Sequence, residues 1–324
     1  VYKRQEINKA CEDDFSLVGG GAVQDNLWTT TGQECGLIDV AGFAVTGDKA
    51  GLAGQTPEEA RGVQPVPNPG DRYPVGGPLL IEETYPDAGQ RMGVLTADFQ
   101  TLEEQKNKEV QGFESIGYDI VSEATYNIGG ESNWKPFATN IESDEVSFLK
   151  FIGEPENGAN FLIALDQIGD TPEVSYFETN FYDQNFIDAA GTAADGSFIG
   201  TSYVPLEEAD SNPATQQYLD GVEAMGGKVS LLGIQSTSAW LLFADLAKQC
   251  DLDNNLTRSC ILEKAGEVDE WTGGGLHAPT SPATNEGSEC WMVLQVADGG
   301  FERFAPEEDF SCSPDYIASV EPFE

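Results

Sequence analysis

The stretch RMGVLTADFQTLEEQKNKEVQGFESIGYDIVSEATYN, residues 91–127, decides the fold. Its first part, RMGVLTADF (91–99), is an apolar run of strand length. TLEEQKNKEVQGFESIG (101–117) has a helical pattern, with Thr101 and Glu104 spaced as a capping box and Gly117 as the stop. YDIVSEATYN (118–127) reads as a second strand. Strand, helix and strand in this order predict a βαβ unit, with parallel strands and a right-handed crossover.

The rhythm continues outward from there. SNWKPFATNIESDE (132–145) reads as a helix, VSFLKFIG (146–153) as a strand, NGANFLIALDQIG (157–169) as a helix and PEVSYFETN (172–180) as a strand. Toward the N-terminus the pattern is shorter: helix 6–13, strand 15–19, helix 25–34, strand 36–41. Residues 47–90 are rich in Gly and Pro and read as loops with one or two short strands. After an extended stretch at 196–210, helices are expected at 212–226 and 238–250. CWMVLQVADGGFERFAP (290–306) predicts a hairpin around Asp298-Gly299-Gly300. The fold class is therefore α/β, with parallel sheets flanked by helices.

Composition narrows the function. The chain has 324 residues, 56 acids against 16 bases and a formal net charge of −40. That charge excludes nucleic acid and anionic membrane as partners. The acids are spread along the chain and read as a hydrated surface. No run is long and apolar enough to span a bilayer. Residues 1–5, VYKRQ, are what GTG-TAT-AAG-AGA-CAG encodes, the end of a transposon sequencing adapter, as in a metagenomic read. The reading is that these five residues are foreign and that the gene is cut at its 5′ side, so a missing signal peptide carries no information.

Six cysteines stand at 11, 35, 250, 260, 290 and 312. None forms a CxxC and the chain has one histidine, so no metal site is expected. An even count suits disulfides and an oxidising compartment. Six cysteines allow fifteen connectivities; pairing of neighbours is the reading taken, Cys11–Cys35, Cys250–Cys260 and Cys290–Cys312. Cys11 and Cys35 each precede an expected strand, and adjacent parallel strands would put both at one sheet edge.

Catalytic constellations do not emerge. His277, in WTGGGLHAPT, has no partner at metal-ligand spacing and reads as a structural hydrogen-bonder. There is no GxSxG elbow, and Gly227-Lys228 lacks the phosphate-loop spacing. LVGGGAVQDN (17–26) places three glycines after a strand, but GGGA is not GxGxxG, so no cofactor is expected. The loop is either a ligand-facing backbone or a plain strand-to-helix turn.

This order of elements resembles the type I periplasmic binding proteins, in particular the branched-chain amino-acid and amide group that serves ABC transporters. GVLTADF, ESIGYDIVSEATYNIGGESNWKPFATNI, YLDGVEAMGG and SAWLLFADLAKQC carry the resemblance over nearly all of residues 6–310. Actinobacterial members look similar at LTRSCILEKAGEVDEWTGGGLHAPTSPATNEGSEC.

The resemblance implies two α/β lobes with a hinge. Lobe one takes residues 6–90 and 206–285 and lacks its first strand pair; lobe two takes 91–205 and 286–324. Crossings would lie near 88–92, 203–208 and 284–290. It further implies an extracytoplasmic monomer, with or without a lipid anchor. That monomer captures a small polar solute (an amino acid, amide or related amine) and hands it to a membrane permease. The rivals are a ligand-sensing receptor domain of the same fold and, with less support, an α/β enzyme.

The implied ligand contacts are Ala22, Val23, Gln24, Asp25 and Thr46 from lobe one. From lobe two they are Phe99, Gln100, Thr101, Glu154, Asn180, Tyr182 and Asp183. Members that bind α-amino acids carry Ser or Thr where Ala22 to Asp25 stand. Asp25, Glu154 and Asp183 would make the site acidic, and chance acids in an acidic chain explain the same pattern.

Overall fold

In the computed structural model of the chain, residues 4–50 and 62–322 are described. In chain order, α1 (Arg4–Asp13), β1 (Ser16–Val18), α2 (Asn26–Glu34) and β2 (Ile38–Val40) come first. A single turn, α3 (Gly47–Ala50), is followed by β3 (Gly62–Val63) and β4 (Arg72–Pro74). Next come α4 (Gly76–Glu82), β5 (Met92–Ala97), α5 (Gln100–Ser115), β6 (Ile120–Tyr126), α6 (Lys135–Ser143) and β7 (Phe148–Ile152). Then follow α7 (Pro155–Ile168), β8 (Val174–Phe177), α8 (Gln184–Ala190) and β9 (Phe198–Thr201). Three helices, α9 (Pro213–Ala224), α10 (Leu231–Leu252) and α11 (Arg258–Ala265), precede β10 (Cys290–Ala297) and β11 (Gly300–Ala305). Two short strands, β12 (Ser311–Cys312) and β13 (Ile317–Ser319), complete the set.

The chain divides into two compact units: residues 1–73, 203–289 and 320–324 form the first, and 74–202 with 290–319 the second. The stretch 74–90, which the sequence reading places with lobe one, packs inside the second unit. Its helix α4, hidden in a segment read as loop, lies against β9 and β10. That approach needs glycine: a Cβ at Gly77 would collide with the Tyr176 hydroxyl, and one at Gly76 with the Trp291 ring. Of the same loop reading, residues 51–61 lie outside the described residues, as do residues 1–3 of VYKRQ.

The second unit is built on one sheet of order β11-β10-β9-β8-β7-β5-β6, with β12 paired to β10. Its run β9-β8-β7-β5-β6 is parallel, and β10 and β11 are antiparallel additions. Strands β5, β7 and β8 are buried along their whole length, which is why they read as continuous apolar runs. Phe148 and Tyr176 pack with Phe113 and Tyr118 on one face of the sheet, where ring centroids lie 5.1–6.3 Å apart. Phe151 and Phe177 pack with Trp134, Phe161 and Phe181, a separate cluster. Each buried ring contributes roughly 1.5–3 kcal/mol of transfer free energy.

The first unit has a smaller sheet, β1-β2-β3, all parallel. Ile38, Val40 and Val63 pack with Ala239, Leu242 and Leu246 of α10 and with Ile261, Leu262 and Ala265 of α11. The side chain of Ser230 caps α10 by accepting from Gly233 N–H. Asn212 caps α9 through Ala214 and Thr215 N–H, both 3.0 Å. At α5 the expected capping box does not form. Phe99 occupies the N-cap position without a side-chain cap bond, two residues ahead of the expected cap Thr101.

All six cysteines are paired, Cys11–Cys35, Cys250–Cys260 and Cys290–Cys312, with Cα separations of 5.8, 6.0 and 4.0 Å. Two of the bonds lie in the first unit and one in the second.

Candidate functional site

In a parallel α/β sheet the loops that leave the carboxyl ends of the strands are the usable surface. In the first unit these are the exits of β1 and β2. The parallel ladder runs into them: Gly19 N–H donates to Val40 O at 2.8 Å and Gly42 N–H to Gly20 O at 2.8 Å. Gly19 has φ +74°, and a Cβ there would press on Ser236 and Trp240 of α10. Its glycine is thus explained by helix packing. Gly21 is exposed and meets nothing closer than ordinary contact with Phe43.

Asp25 and Thr46 are brought together, and each is used up by the other. Asp25 is fully buried, and its carboxylate accepts from Val45 N–H (2.7 Å), Thr46 N–H (3.1 Å) and the Thr46 hydroxyl. Thr46 Oγ1 in turn accepts from Lys49 N–H at 3.3 Å at the start of α3. Asp25 therefore fastens the β2 exit to the start of α2 and offers no free acid. Beneath it Lys49 and Asp39 form a sealed pair at 2.7 Å, with the ammonium 5.6 Å from the Trp28 ring centroid. Ala22 and Val23 are half-buried and Gln24 is exposed.

In the second unit the exits of β5, β7 and β8 carry the other named residues. Phe99 is half-buried, Gln100 exposed, and Thr101 buried with a hydroxyl that finds no hydrogen-bond partner. Glu154 is exposed at the N-cap position of α7, and its side chain makes no cap bond. Asn180 Nδ2–H donates to Gly153 O at 3.0 Å, so the β7 and β8 exits are tied together. Gly153 has φ +151°, and any side chain there would strike the Tyr126 hydroxyl. Tyr182 is 2% exposed and stands edge-on to Phe301 at 4.7 Å, which makes it a packing residue. Asp183 caps α8, accepting from Asn185 N–H at 2.9 Å. Of the three acids expected to make the site acidic, Asp25 is consumed, Asp183 is half-buried as a cap, and Glu154 stands exposed.

Sequence reading missed the charged cluster below this edge. Lys150 of β7 is sealed between Glu109 of α5, at 3.3 Å, and Glu178, the residue after β8. The Tyr176 ring centroid lies 4.8 Å from its ammonium. Burial and the neighbouring Glu178 push the Glu109 carboxyl up to about 8, against the opposing pull of Lys150. Burial alone would lower Lys150, but the two carboxyls outweigh it and hold it above its usual range. A signal was present: a lysine inside the apolar run VSFLKFIG has to find partners.

His277 is 3% exposed. A backbone carbonyl can only accept, so Nδ1–H donates to Ala278 O at 2.8 Å and Nε2 accepts from the Ser238 hydroxyl at 2.9 Å. Ser238 Oγ accepts in turn from Trp271 Nε1–H at 2.9 Å. Burial lowers the His277 pKa to about 4, with the Ala278 bond opposing, so the ring is neutral and structural.

The chain belongs to the periplasmic binding protein family, whose model matches residues 65–300. It has the type I periplasmic binding fold, a mixed α/β architecture with a central sheet flanked by helices. The family is one of binding proteins rather than an enzyme class, and solute binding is the role that fits this chain. Among solved structures, a branched chain amino acid ABC transporter protein from Thermus thermophilus with bound valine matches with a TM-score of 0.77. It is 11% identical, over 97% of this chain and 82% of that one. A leucine binding protein from Thermotoga maritima matches at 0.74, with 15% identity over 97% and 86%. An extracellular ligand-binding receptor from Rhodopseudomonas palustris matches at 0.72, with 12% identity over 93% and 85%. No curated protein matches the chain. Among the described residues no helix is long and apolar enough to cross a membrane.

Proposed function

We propose that this chain is the extracytoplasmic solute-binding component of an ABC importer, acting as a monomer and passing its cargo to a membrane permease. The two units serve as lobes, and closure onto a small polar solute shifts the population toward the form the permease reads. The family match over residues 65–300 carries this reading. The strand-exit loops support it: the exits of β1 and β2, and those of β5, β7 and β8, are the surfaces through which each lobe would touch the solute.

The contacts proposed are backbone groups of Ala22 to Gln24 in the first lobe and Gln100, Glu154 and Asn180 in the second. Asp25, Thr46 and Tyr182 act behind them by holding the loops in shape. Exposed Glu154 and the amide of Asn180 suit an ammonium-bearing amino acid, amide or amine.

The test is a thermal-shift screen over amino acids, amides and polyamines, followed by calorimetry on the compounds that shift. A true solute at a hundred times its Kd stabilises by about 2.7 kcal/mol. No shift from any compound of these classes, with the protein folded, would count against the reading. A sensor role with the same fold is favoured by the neighbour named as an extracellular ligand-binding receptor. Transport of the bound compound by cells carrying the gene and its permease separates the two.

A further inference from the structure

Lys150, Glu109 and Glu178 bring one ammonium and two carboxyl groups to a nearly dry place. The side chains of Lys150 and Glu109 are each 1% exposed, while that of Glu178 is 29% exposed. Lys150 Nζ faces both carboxyl groups, Glu109 Oε2 at 3.3 Å and Glu178 Oε1 on the other side. One ammonium can neutralise only one of two carboxylates. With a proton on one carboxyl the cluster is neutral; without it, a net negative charge is buried. Gln105 Nε2–H, at 2.7 Å from Glu109 Oε1, closes the helix side.

Glu178 is also where a loop begins. The turn Thr179–Phe181 starts on it, with Phe181 N–H donating to Glu178 O at 2.9 Å and Tyr182 N–H to Thr179 O at 3.1 Å. From this turn Thr179 Oγ1–H reaches Gly200 O at 3.0 Å and Asn180 reaches Gly153 O. The position of Glu178 therefore sets where Asn180 and Asp183 stand.

We propose that Lys150, Glu109 and Glu178 form a one-proton latch under the loop 178–183. Lys150 and Glu109 are then positioning residues for the solute contacts of that loop. The second half rests on the functional reading above; the latch itself does not. While the proton is held, Glu178 stays drawn in on Lys150. When it leaves, two ionised carboxylates face each other. Glu109 is fixed on α5 and sealed, so Glu178, the one with a path to solvent, moves outward and the turn moves with it. The buried position of Glu109 places this loss in the alkaline range, near pH 8.

Other ionisable groups surround the cluster. From β8, Tyr176 is held well above its ordinary range by burial first and then by Glu178 and Glu109. Tyr118, beyond α5, is also raised, by burial and Glu82. Strands β5 and β13, which pack on α5, bring no ionisable side chain. On α5 itself Lys106 is paired with Glu123 of β6 at 3.0 Å, and Lys108, next to Glu109, is buried.

Hydrogen exchange of peptides covering 178–183 in the solute-free protein, corrected for intrinsic rates, tests the latch at pH 7 and pH 9.5. Wild type should lose at least tenfold protection at the higher pH. Glu109→Gln, which mimics the protonated group, and Glu178→Gln should keep equal protection at both, and Lys150→Arg should behave as wild type. Unchanged protection in wild type, or an undiminished loss in Glu109→Gln, would overturn the latch. A thermal-shift titration with L-leucine on wild type and Glu109→Gln then separates the two halves, since titration of the amino group of leucine affects both proteins alike. Affinity that falls at least tenfold more in wild type supports the positioning role, and equal falls overturn it. No leucine response at either pH alongside a positive exchange result leaves the latch standing and counts against leucine as the solute, while the wider screen decides the functional reading.

Discussion

The two units solve the same architectural problem to different depths. In the second, β5 is buried at all six positions, and β7 and β8 at every position. In the first, β1 is half-exposed at each of its three residues and lies at an end of a three-stranded sheet. All the exposed large apolar side chains among the described residues fall in the first unit. They include Leu232, Trp240 and Leu241 of α10, and Trp240 is 54% exposed. A helix that is apolar on both sides belongs in an interior. Buried ion pairs occur in both units, Lys49–Asp39 in the first and Lys150 with Glu109 and Glu178 in the second, so the lesson is that the first unit leans more on covalent ties where the second leans on packing: two of the three disulfides lie in the first.

Reduction is the harshest test of that contrast. In the chain-entropy account, loops closed at separations of 24, 10 and 22 residues each stabilise by roughly 3 kcal/mol. Reduction should therefore cost the first unit about 6 kcal/mol and the second about 3. Hydrogen exchange under reducing denaturation-free conditions should show protection lost first in peptides from β1, β2 and α10. Simultaneous loss in both units would break the comparison.

The next effect compares two buried lysines. Lys49→Met leaves Asp39 fully buried beside an apolar side chain and should cost about 3–5 kcal/mol by urea unfolding. Lys150→Met should cost less, because burial already favours the protonated form of Glu109 and Glu178 reaches solvent. Equal costs would show that the second cluster has no such relief.

A third contrast is in sign. Folded Glu109 holds its proton to about pH 8 against an ordinary 4.5, so between these values the folded unit carries a proton that the unfolded chain has released. The second unit should lose stability as pH rises through that window. Folded His277 refuses a proton down to about pH 4, whereas the unfolded residue takes one near 6.5. The first unit should lose stability as pH falls from 6.5 to 4. Each effect is on the order of a few kcal/mol. Glu109→Gln should flatten the first trend and His277→Gln the second, read by exchange in peptides of each unit.

How far the sequence reaches follows the same division. The second unit was legible because parallel strands buried on both faces read as unbroken apolar runs separated by periodic helices. Helix α4 was not, since GGPLLIE looks like a breaker-rich loop; its glycines answer to Tyr176 and Trp291, far along the chain. The family resemblance names Asp25 as a ligand contact, but nothing local tells that Val45 and Thr46, twenty residues on, consume its carboxylate. The resemblance implies Tyr182 as a ligand contact, and its burial against Phe301 depends on a strand over a hundred residues later. Glu178 was passed over because its importance comes from Lys150, a partner across the sheet.

The smallest expected effect bears on the site itself. If the second unit supplies the specific contacts and the first mainly backbone, side-chain truncation should be felt unequally. Asn180→Ala removes an amide at the β8 exit and its tie to Gly153, and Glu154→Gln removes an exposed charge at the start of α7 without altering a packed group. Each should weaken solute binding about tenfold, or 1.4 kcal/mol, by calorimetry on the compound found in the screen. Gln24→Ala, at an exposed position in the first unit, should change affinity by less than about threefold, because the backbone N–H groups it leaves in place are the proposed contacts. Urea midpoints for Glu154→Gln and Gln24→Ala should stay at the wild-type value, which separates a lost contact from a loosened fold. A large loss at Gln24 with none at Asn180 and Glu154 would reverse the roles of the two units and move the specificity of the site onto the β1 exit.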